Sequence, residues 1–200
     1  MSKRDLILDS MMLLLTEHKG ASCSVSDIAK KAGIAKGGMY YYFKSKEEVF
    51  DALVERTYKK IIDQCSAIIL RNDKTALEKL SILYTHYRSS IVSSDLDSYL
   101  HLPQNAAIHQ KSLAKIVTGL SEILALIIEQ GVQEGSFQCD YPLEMSEIIL
   151  SVFSFLLDPG IFDWTPEQAN RKLILFASLI EKGLGIKPGS MEFFYTSPTP

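Results

Sequence analysis

Asp27-Ile28-Ala29-Lys30-Lys31-Ala32-Gly33-Ile34-Ala35-Lys36-Gly37-Gly38-Met39-Tyr40-Tyr41-Tyr42-Phe43 decides how the chain is read. Apolar residues at helical spacing flank Gly33, so two short helices meet at a tight turn, a helix-turn-helix pattern. Ala29 is small where the helices cross, and Gly33 is free to take the left-handed conformation the turn needs. Ile28, Ala32, Ile34 and Met39 are predicted to share one core. Ser24-Val25-Ser26-Asp27 is a capping box that opens the first helix. The second helix is predicted from about Ala35 to Phe43. Ser45-Lys46-Glu47-Glu48 is another capping box. It opens a long helix in which Phe50, Val54, Tyr58, Ile61, Cys65 and Ile68 repeat at three- and four-residue steps.

The same periodicity extends in both directions. Upstream, Leu6, Met11, Leu14 and Leu15 predict a helix that stops near His18-Lys19-Gly20. Downstream, Asn72-Asp73 is expected to cap a helix striped by Leu77, Leu80, Tyr84, Tyr87 and Ile91. A short helix follows Ser94, and a longer one runs from Asn105 to Gln130. Gly131 to Phe137 is predicted as a loop. Pro142 suits a first helical turn, opening a helix that ends at Asp158-Pro159-Gly160. Thr165-Pro166-Glu167-Gln168 opens the last helix, which ends at Gly183 or Gly185. Nothing alternates with period two. The expectation is an all-α fold of about nine helices. Residues 1–46 would form a three-helix domain carrying the helix-turn-helix, and residues 47–186 a larger helical domain. Residues 187–200 would be a tail, flexible at its Thr-Ser-Pro-Thr-Pro end and docked at Met191 to Tyr195.

Charge sharpens this division. The 200 residues carry a net −3, yet residues 1–60 hold 11 Lys/Arg against 8 Asp/Glu, and residues 61–200 hold 10 against 16. Between Lys19 and Lys46 six lysines face Asp27 alone. A basic end on an acidic body fits a polyanion partner. The longest apolar run, Ile123 to Ile128, is far shorter than the roughly 18 residues of a membrane span. Met1-Ser2-Lys3-Arg4-Asp5 shows no signal-peptide core. Cys23, Cys65 and Cys139 are odd in number and far apart, which suits neither a disulfide framework nor a zinc site. These features predict a cytoplasmic protein with no membrane partner.

Two late helices are apolar on every side. Eight of the ten residues from Ile148 to Leu157 are apolar, and Leu173 to Leu184 is similar. Such helices need cover all round, so a homodimer is expected through Ile149, Val152, Phe153, Leu156, Leu173, Phe176 and Ile180.

From Ser24 to Ala52 the chain reads Ser-x-x-Asp-Ile-Ala-x-x-Ala-Gly-Ile-x-x-Gly-x-x-Tyr-Tyr-Tyr-Phe-Lys-Ser-Lys-Glu-Glu-Val-Phe-x-Ala. This stretch resembles the N-terminal signature of the TetR family of bacterial transcriptional regulators. The resemblance implies that the helix after Gly33 is a recognition helix for the major groove of operator DNA. Lys36 would meet a base edge, most naturally guanine O6/N7. Tyr40 and Tyr41 would touch phosphate and base methyl groups. Lys46 would clamp a phosphate at a helix N-terminus, with Ser24 and Ser26 as further phosphate donors. Tyr42 and Phe43 are assigned to packing. Gly37-Gly38 departs from the family, which usually has one glycine followed by Thr, Ser or Ala. Each glycine costs about 1 kcal/mol of helix propensity, so the start of this helix is expected to be pliant.

By the same resemblance residues 1–46 would be a DNA-binding domain and residues 47–186 a regulatory and dimerisation domain whose helices enclose a small-molecule pocket. Its candidate residues are Tyr84, Tyr87, Tyr99, His101, His109, Phe153, Phe155 and Trp164. His86 and His109 are set aside as metal ligands, since a lone helical His usually has a structural partner. No metal or cofactor is expected. Cys23 is assigned to packing rather than redox sensing. There is no Ser/His/Asp order, no HExxH and no Gly-rich phosphate loop to support an enzyme. The function expected is a ligand-released repressor on a palindromic operator. The alternatives are a DNA-binding activator or partner-regulated factor without a small-molecule switch and, more remotely, an all-α enzyme.

Overall fold

A computed structural model describes residues 2–17, 23–69, 73–91 and 95–196. The described residues form nine α-helices and no strand. They are α1 (Lys3–Thr16), α2 (Val25–Lys31), α3 (Lys36–Tyr42), α4 (Lys46–Ile69), α5 (Ala76–Ile91), α6 (Asp95–Leu100), α7 (Ala106–Gln133), α8 (Pro142–Ser151) and α9 (Pro166–Gly183). Single 3₁₀ turns lie at Pro103–Asn105 and Glu192–Phe194, and α8 continues into a π-helical turn over Val152–Leu156. The stop expected at His18–Gly20, the cap expected at Asn72 and the last four residues of the tail lie outside the described residues.

The chain groups into two compact units, Met1–Lys60 with Val92–Ser112, and Ile61–Ile91 with Leu113–Pro200. This differs from a division at residue 46, because α4 is one unbroken helix from Lys46 onward and α6 joins the first unit. In that unit α1 packs against α2 and α6, and α2 against α3. Ile7, Leu8, Met11, Ile28, Met39, Phe50 and Leu53 are fully buried there, joined by Leu96 and Leu100 of α6. The Phe50 ring meets Tyr99 edge-on at 4.7 Å. Arg56 of α4 donates to Asp9 of α1 at 2.7 Å, and Arg4 lies 5.3 Å from the Phe43 ring centre. The short α6 closes this core through Leu96 and Leu100, although its six residues give only a weak periodic signal.

Three details differ from the sequence expectation. Thr75, rather than Asp73, caps α5: its N–H donates to Glu78 Oε2 at 2.9 Å, and its hydroxyl accepts the Glu78 N–H at 3.3 Å. Helix α7 runs through Gly131 to Gln133, and the chain turns at Gly135 (φ 71°) instead. There the Gly135 N–H bonds Val132 O and the Ser136 N–H bonds Gly131 O, the paired closure of a Schellman motif. Gly131 serves packing, since a Cβ at this position would run into the buried Phe137 ring. Ile34 is half-buried rather than a core residue.

These contacts predict opposite signs for one substitution at two helical glycines. Gly131→Ala should lower stability by about 1–3 kcal/mol through overpacking against Phe137. Gly38, on α3, has nothing within 4 Å of an added Cβ, so Gly38→Ala should raise stability by up to about 1 kcal/mol. Urea denaturation of both variants checks this. A gain from Gly131→Ala, or a loss from Gly38→Ala, would contradict the packing described.

Candidate nucleic-acid face and ligand cavity

The turn that aims α3 is built by backbone hydrogen bonds. Gly33 sits at φ 66°, its N–H donating to Lys30 O at 3.2 Å while the Ile34 N–H donates to Ala29 O at 3.0 Å. This Schellman closure ends α2, and extended Ala35 (ψ 145°) starts α3 without any side-chain cap. Met39 and Phe43 then anchor the inner face of α3, at 0% and 3% exposure. Lys36, Gly37, Tyr40 and Tyr41 occupy the opposite, exposed face, with Tyr41 84% exposed. A solvent-facing tyrosine pair beside a lysine, on a helix held rigidly from behind, suits contact with a polyanion and its base edges. Tyr42 is half-buried, its ring edge-on to Tyr41 at 4.9 Å.

Ser24 caps α2, as its place in the capping box predicts. Its hydroxyl donates to Asp27 Oδ2 at 2.7 Å and accepts the Asp27 N–H at 3.2 Å, so its proton is already committed to the cap of α2. These bonds hold the exposed Asp27 carboxyl below the usual range, Ser24's side chain contributing most and its backbone next. The stabilisation is therefore complete above the normal carboxylate value and is lost only as pH falls through the lowered one. Ser26 is exposed on the first turn of α2. Lys46 opens α4 and is half-buried. Ser45 caps that helix by accepting the Glu48 N–H at 3.1 Å, but the Glu48 carboxylate reaches back to the N–H of Lys44 rather than of Ser45. Cys23 is buried and its thiol is pushed up by desolvation, against an opposing pull from Lys46. That is the setting of a packing cysteine.

The second unit holds a partly open apolar cavity of ≈ 40 Å³. Its walls come from Leu80, Leu83, Tyr84 and Tyr87 of α5, and from Leu120, Leu124 and Ile128 of α7. The α8 segment adds Ile149, Leu150 and Phe153, α9 adds Ile180 and Leu184, and the tail adds Met191 and Phe194. Of the eight candidates, Tyr84, Tyr87 and Phe153 line this cavity, and five lie elsewhere. Tyr99 packs on Phe50, and His101 lies 3.5 Å from Asp97, with its ring 4.9 Å from that of His109. Phe155 lines an outer groove with Ile148, Val152 and Leu156. Trp164 stacks on Phe162 at 5.2 Å and donates to Leu156 O at 2.7 Å, with Lys172 3.5 Å above its ring. Apart from Met191 and Phe194 of the tail, the missed wall residues are aliphatic, and in a sequence they look like ordinary core.

The expected dimer residues divide in the same way. Ile149, Phe153 and Ile180 face the cavity, and Ile149 and Ile180 are buried within their own chain. Val152 and Leu156 line the outer groove, while Leu173 and Phe176 are half-buried. The large exposed apolar side chains here are Ile148 (60%), Leu175 (62%) and Leu179 (55%), with Ile174 beside them. No helix of the described residues is long and apolar enough to cross a membrane.

Comparison with known proteins accounts for both units. Residues 7–53 match the family described as bacterial regulatory proteins, tetR family. Residues 90–179 match the tetracyclin repressor-like C-terminal domain. The chain is 28% identical over 135 residues to the fatty acid metabolism regulator protein of Bacillus subtilis (strain 168), covering 66% of this chain and 69% of that protein. It is 27% identical over 161 residues to the HTH-type transcriptional repressor KstR2 of Rhodococcus jostii (strain RHA1), covering 78% and 75%. The crystal structure of RolR in complex with the ligand resorcinol superposes with a TM-score of 0.67 at 16% identity, over 99% of this chain and 95% of that one. That likeness is one of fold. With a helix-turn-helix presenting a lysine–tyrosine face, and two family matches spanning both ends, the chain belongs to the TetR family of ligand-responsive, DNA-binding transcriptional regulators, which are not enzymes.

Proposed function

We propose that the protein is a cytoplasmic repressor that binds a palindromic operator as a homodimer and is released when a small molecule enters the second unit's cavity. The outward face of α3 carries this reading, because Lys36, Tyr40 and Tyr41 are solvent-facing while Met39 and Phe43 fix the helix from behind. Lys36 reads a base edge, Tyr40 and Tyr41 meet backbone and base methyls, and Lys46 and Ser26 meet phosphate. Gly37 and Gly38 put no side chain between α3 and the groove. The cavity walls are apolar apart from two tyrosine hydroxyls, which favours an effector with an apolar body. The name of the Bacillus subtilis relative, a fatty acid metabolism regulator, points the same way.

The homodimer rests on the uncovered apolar face of α8 and α9. Exposed apolar area on this scale is usually covered by a partner. Val152, Leu156, Leu173 and Phe176 are joined there by Ile148, Ile174, Leu175 and Leu179. Leu175→Glu should yield a folded monomer, because its side chain is exposed in the single chain. Ile180→Glu should instead unfold the protein, since it places a charge in a closed core. Light scattering with circular dichroism separates the two, and a dimeric Leu175→Glu variant would move the interface elsewhere.

The two lysines are expected to act differently on DNA. Lys46→Ala should weaken operator and random DNA by similar factors and lower the salt slope by about one. Lys36→Ala should cost about 1–3 kcal/mol on the operator and much less on random DNA. Salt titrations of affinity on both DNAs check this. Equal losses on both DNAs for Lys36→Ala would reduce it to a phosphate contact. No loss from either variant would remove α3 as the DNA-binding element.

A further inference from the structure

The cavity as it stands is too small for an effector. Ligand sites for drug-sized molecules measure about 300–1,000 Å³, whereas ≈ 40 Å³ holds a few waters at most. Something in the wall must therefore leave, and most of that wall consists of α5, α7, α8 and α9. Pulling a helix out would expose the whole core of the second unit. The remaining wall is different in kind. Met191 and Phe194 are buried to 0% and 5% exposure, yet they belong to a single 3₁₀ turn on a short tail.

That tail is built to dock and to come away. Two residues past the end of α9, Gly185 (φ 65°) closes the helix, and a second left-handed glycine, Gly189 (φ 89°), turns the chain back toward the cavity. Between Lys187 and Thr196 the backbone hydrogen bonds are local ones, such as Ser190 N–H to Lys187 O and Phe194 N–H to Met191 O. Two further bonds hold the turn in place. The buried Glu181 carboxylate accepts the Met191 N–H at 2.9 Å, and the Tyr84 hydroxyl donates to Phe194 O at 2.8 Å. The Phe194 ring lies 4.7 Å from Tyr84 and 5.1 Å from Phe153. The tail thus satisfies the polar group on α5 that a ligand would use, and fills the space among the rings that a ligand would fill.

We propose that residues 187–196 are a resident plug in the effector cavity, and that an apolar effector binds by displacing Phe194 and Met191 and taking over the Tyr84 hydroxyl. This rests on the ligand-responsive reading above and adds to it an internal competitor. Its consequence is arithmetical: if the cavity is open only a fraction of the time, the apparent dissociation constant rises by the inverse of that fraction. A plug open one-tenth of the time weakens effector binding tenfold.

The test uses N-phenyl-1-naphthylamine, a neutral apolar dye that brightens when buried, titrated into three dimer preparations. These are the full chain, a chain ending at Lys187, and the full chain with Phe194→Ala. The plug predicts at least tenfold tighter dye binding by the shortened chain, with Phe194→Ala also tighter than the full chain. It also predicts, in the unaltered full chain, that dye accelerates chymotryptic cleavage at Phe193, Phe194 and Tyr195. The cleavage assay needs no variant, so misfolding of the shortened chain leaves the proposal testable. Equal dye affinity in all three, with cleavage unchanged by dye, overturns the plug. Release of operator DNA by dye in that case would leave the ligand-responsive reading standing. If none of the three binds dye, the cavity is not an apolar site, and the plug falls together with the effector reading built on this cavity.

Discussion

The left-handed turn at Gly33 fixes the direction of α3, and the proposed DNA contacts depend on that direction. With the Gly33 and Ile34 N–H groups bonded to Lys30 and Ala29 carbonyls, α2 ends at Lys31 and α3 begins five residues later, at Lys36. Met39 on α3 and Phe43, the extended residue that ends it, can then be buried together. Lys36, Gly37, Tyr40 and Tyr41 are consequently left outside. A side chain at Gly33 would strain the turn, and a displaced turn would rotate the lysine–tyrosine face away from its target. Function at this end is a matter of what the core leaves exposed.

The second unit has the opposite economy, with little left polar. One short segment, residues 148–157, serves two surfaces at once. Ile149 and Phe153 point into the cavity, while Ile148, Val152, Phe155 and Leu156 form the outer groove. The π-helical turn over Val152–Leu156 widens the helix there, so Leu156 falls on the outer side rather than below Ile149. Irregular turns of this kind often mark functional sites. In the proposed regulator, a ligand pressing on Phe153 acts on the same turn that faces the partner subunit.

Much of this was legible in the sequence, and the exceptions have physical causes. The capping boxes at Ser24 and Thr165 and the break at Gly33 were readable because each is a local hydrogen-bonding or backbone requirement met by a few adjacent residues. Gly131 misled because a glycine needed for space against Phe137 looks the same as a glycine needed for a turn. The real turn glycine, Gly135, lies four residues on. Helix α6 gave a weak signal because six residues make fewer than two turns. The exposed placement of Lys36, Tyr40 and Tyr41 was legible from an ordered motif. Cavity residues such as Leu83, Leu124 and Leu184 were not, since an aliphatic wall and an aliphatic core obey the same periodicity. Ile149 and Ile180 were assigned outward for a related reason. Helices apolar all round announce that two faces are covered but not which face meets which neighbour.

The central claim is that the exposed face of α3 reads operator DNA in the major groove, once per subunit. Its most direct measurement is selection of bound duplexes from a random pool, followed by methylation interference on the enriched sequence. Guanine N7 lies in the major groove and adenine N3 in the minor groove, so the two methylations separate the grooves. The account predicts an enriched inverted repeat with interference at guanine N7 in two half-sites about one helical turn, or ~34–36 Å, apart. An unenriched pool, or interference confined to adenine N3, would contradict it.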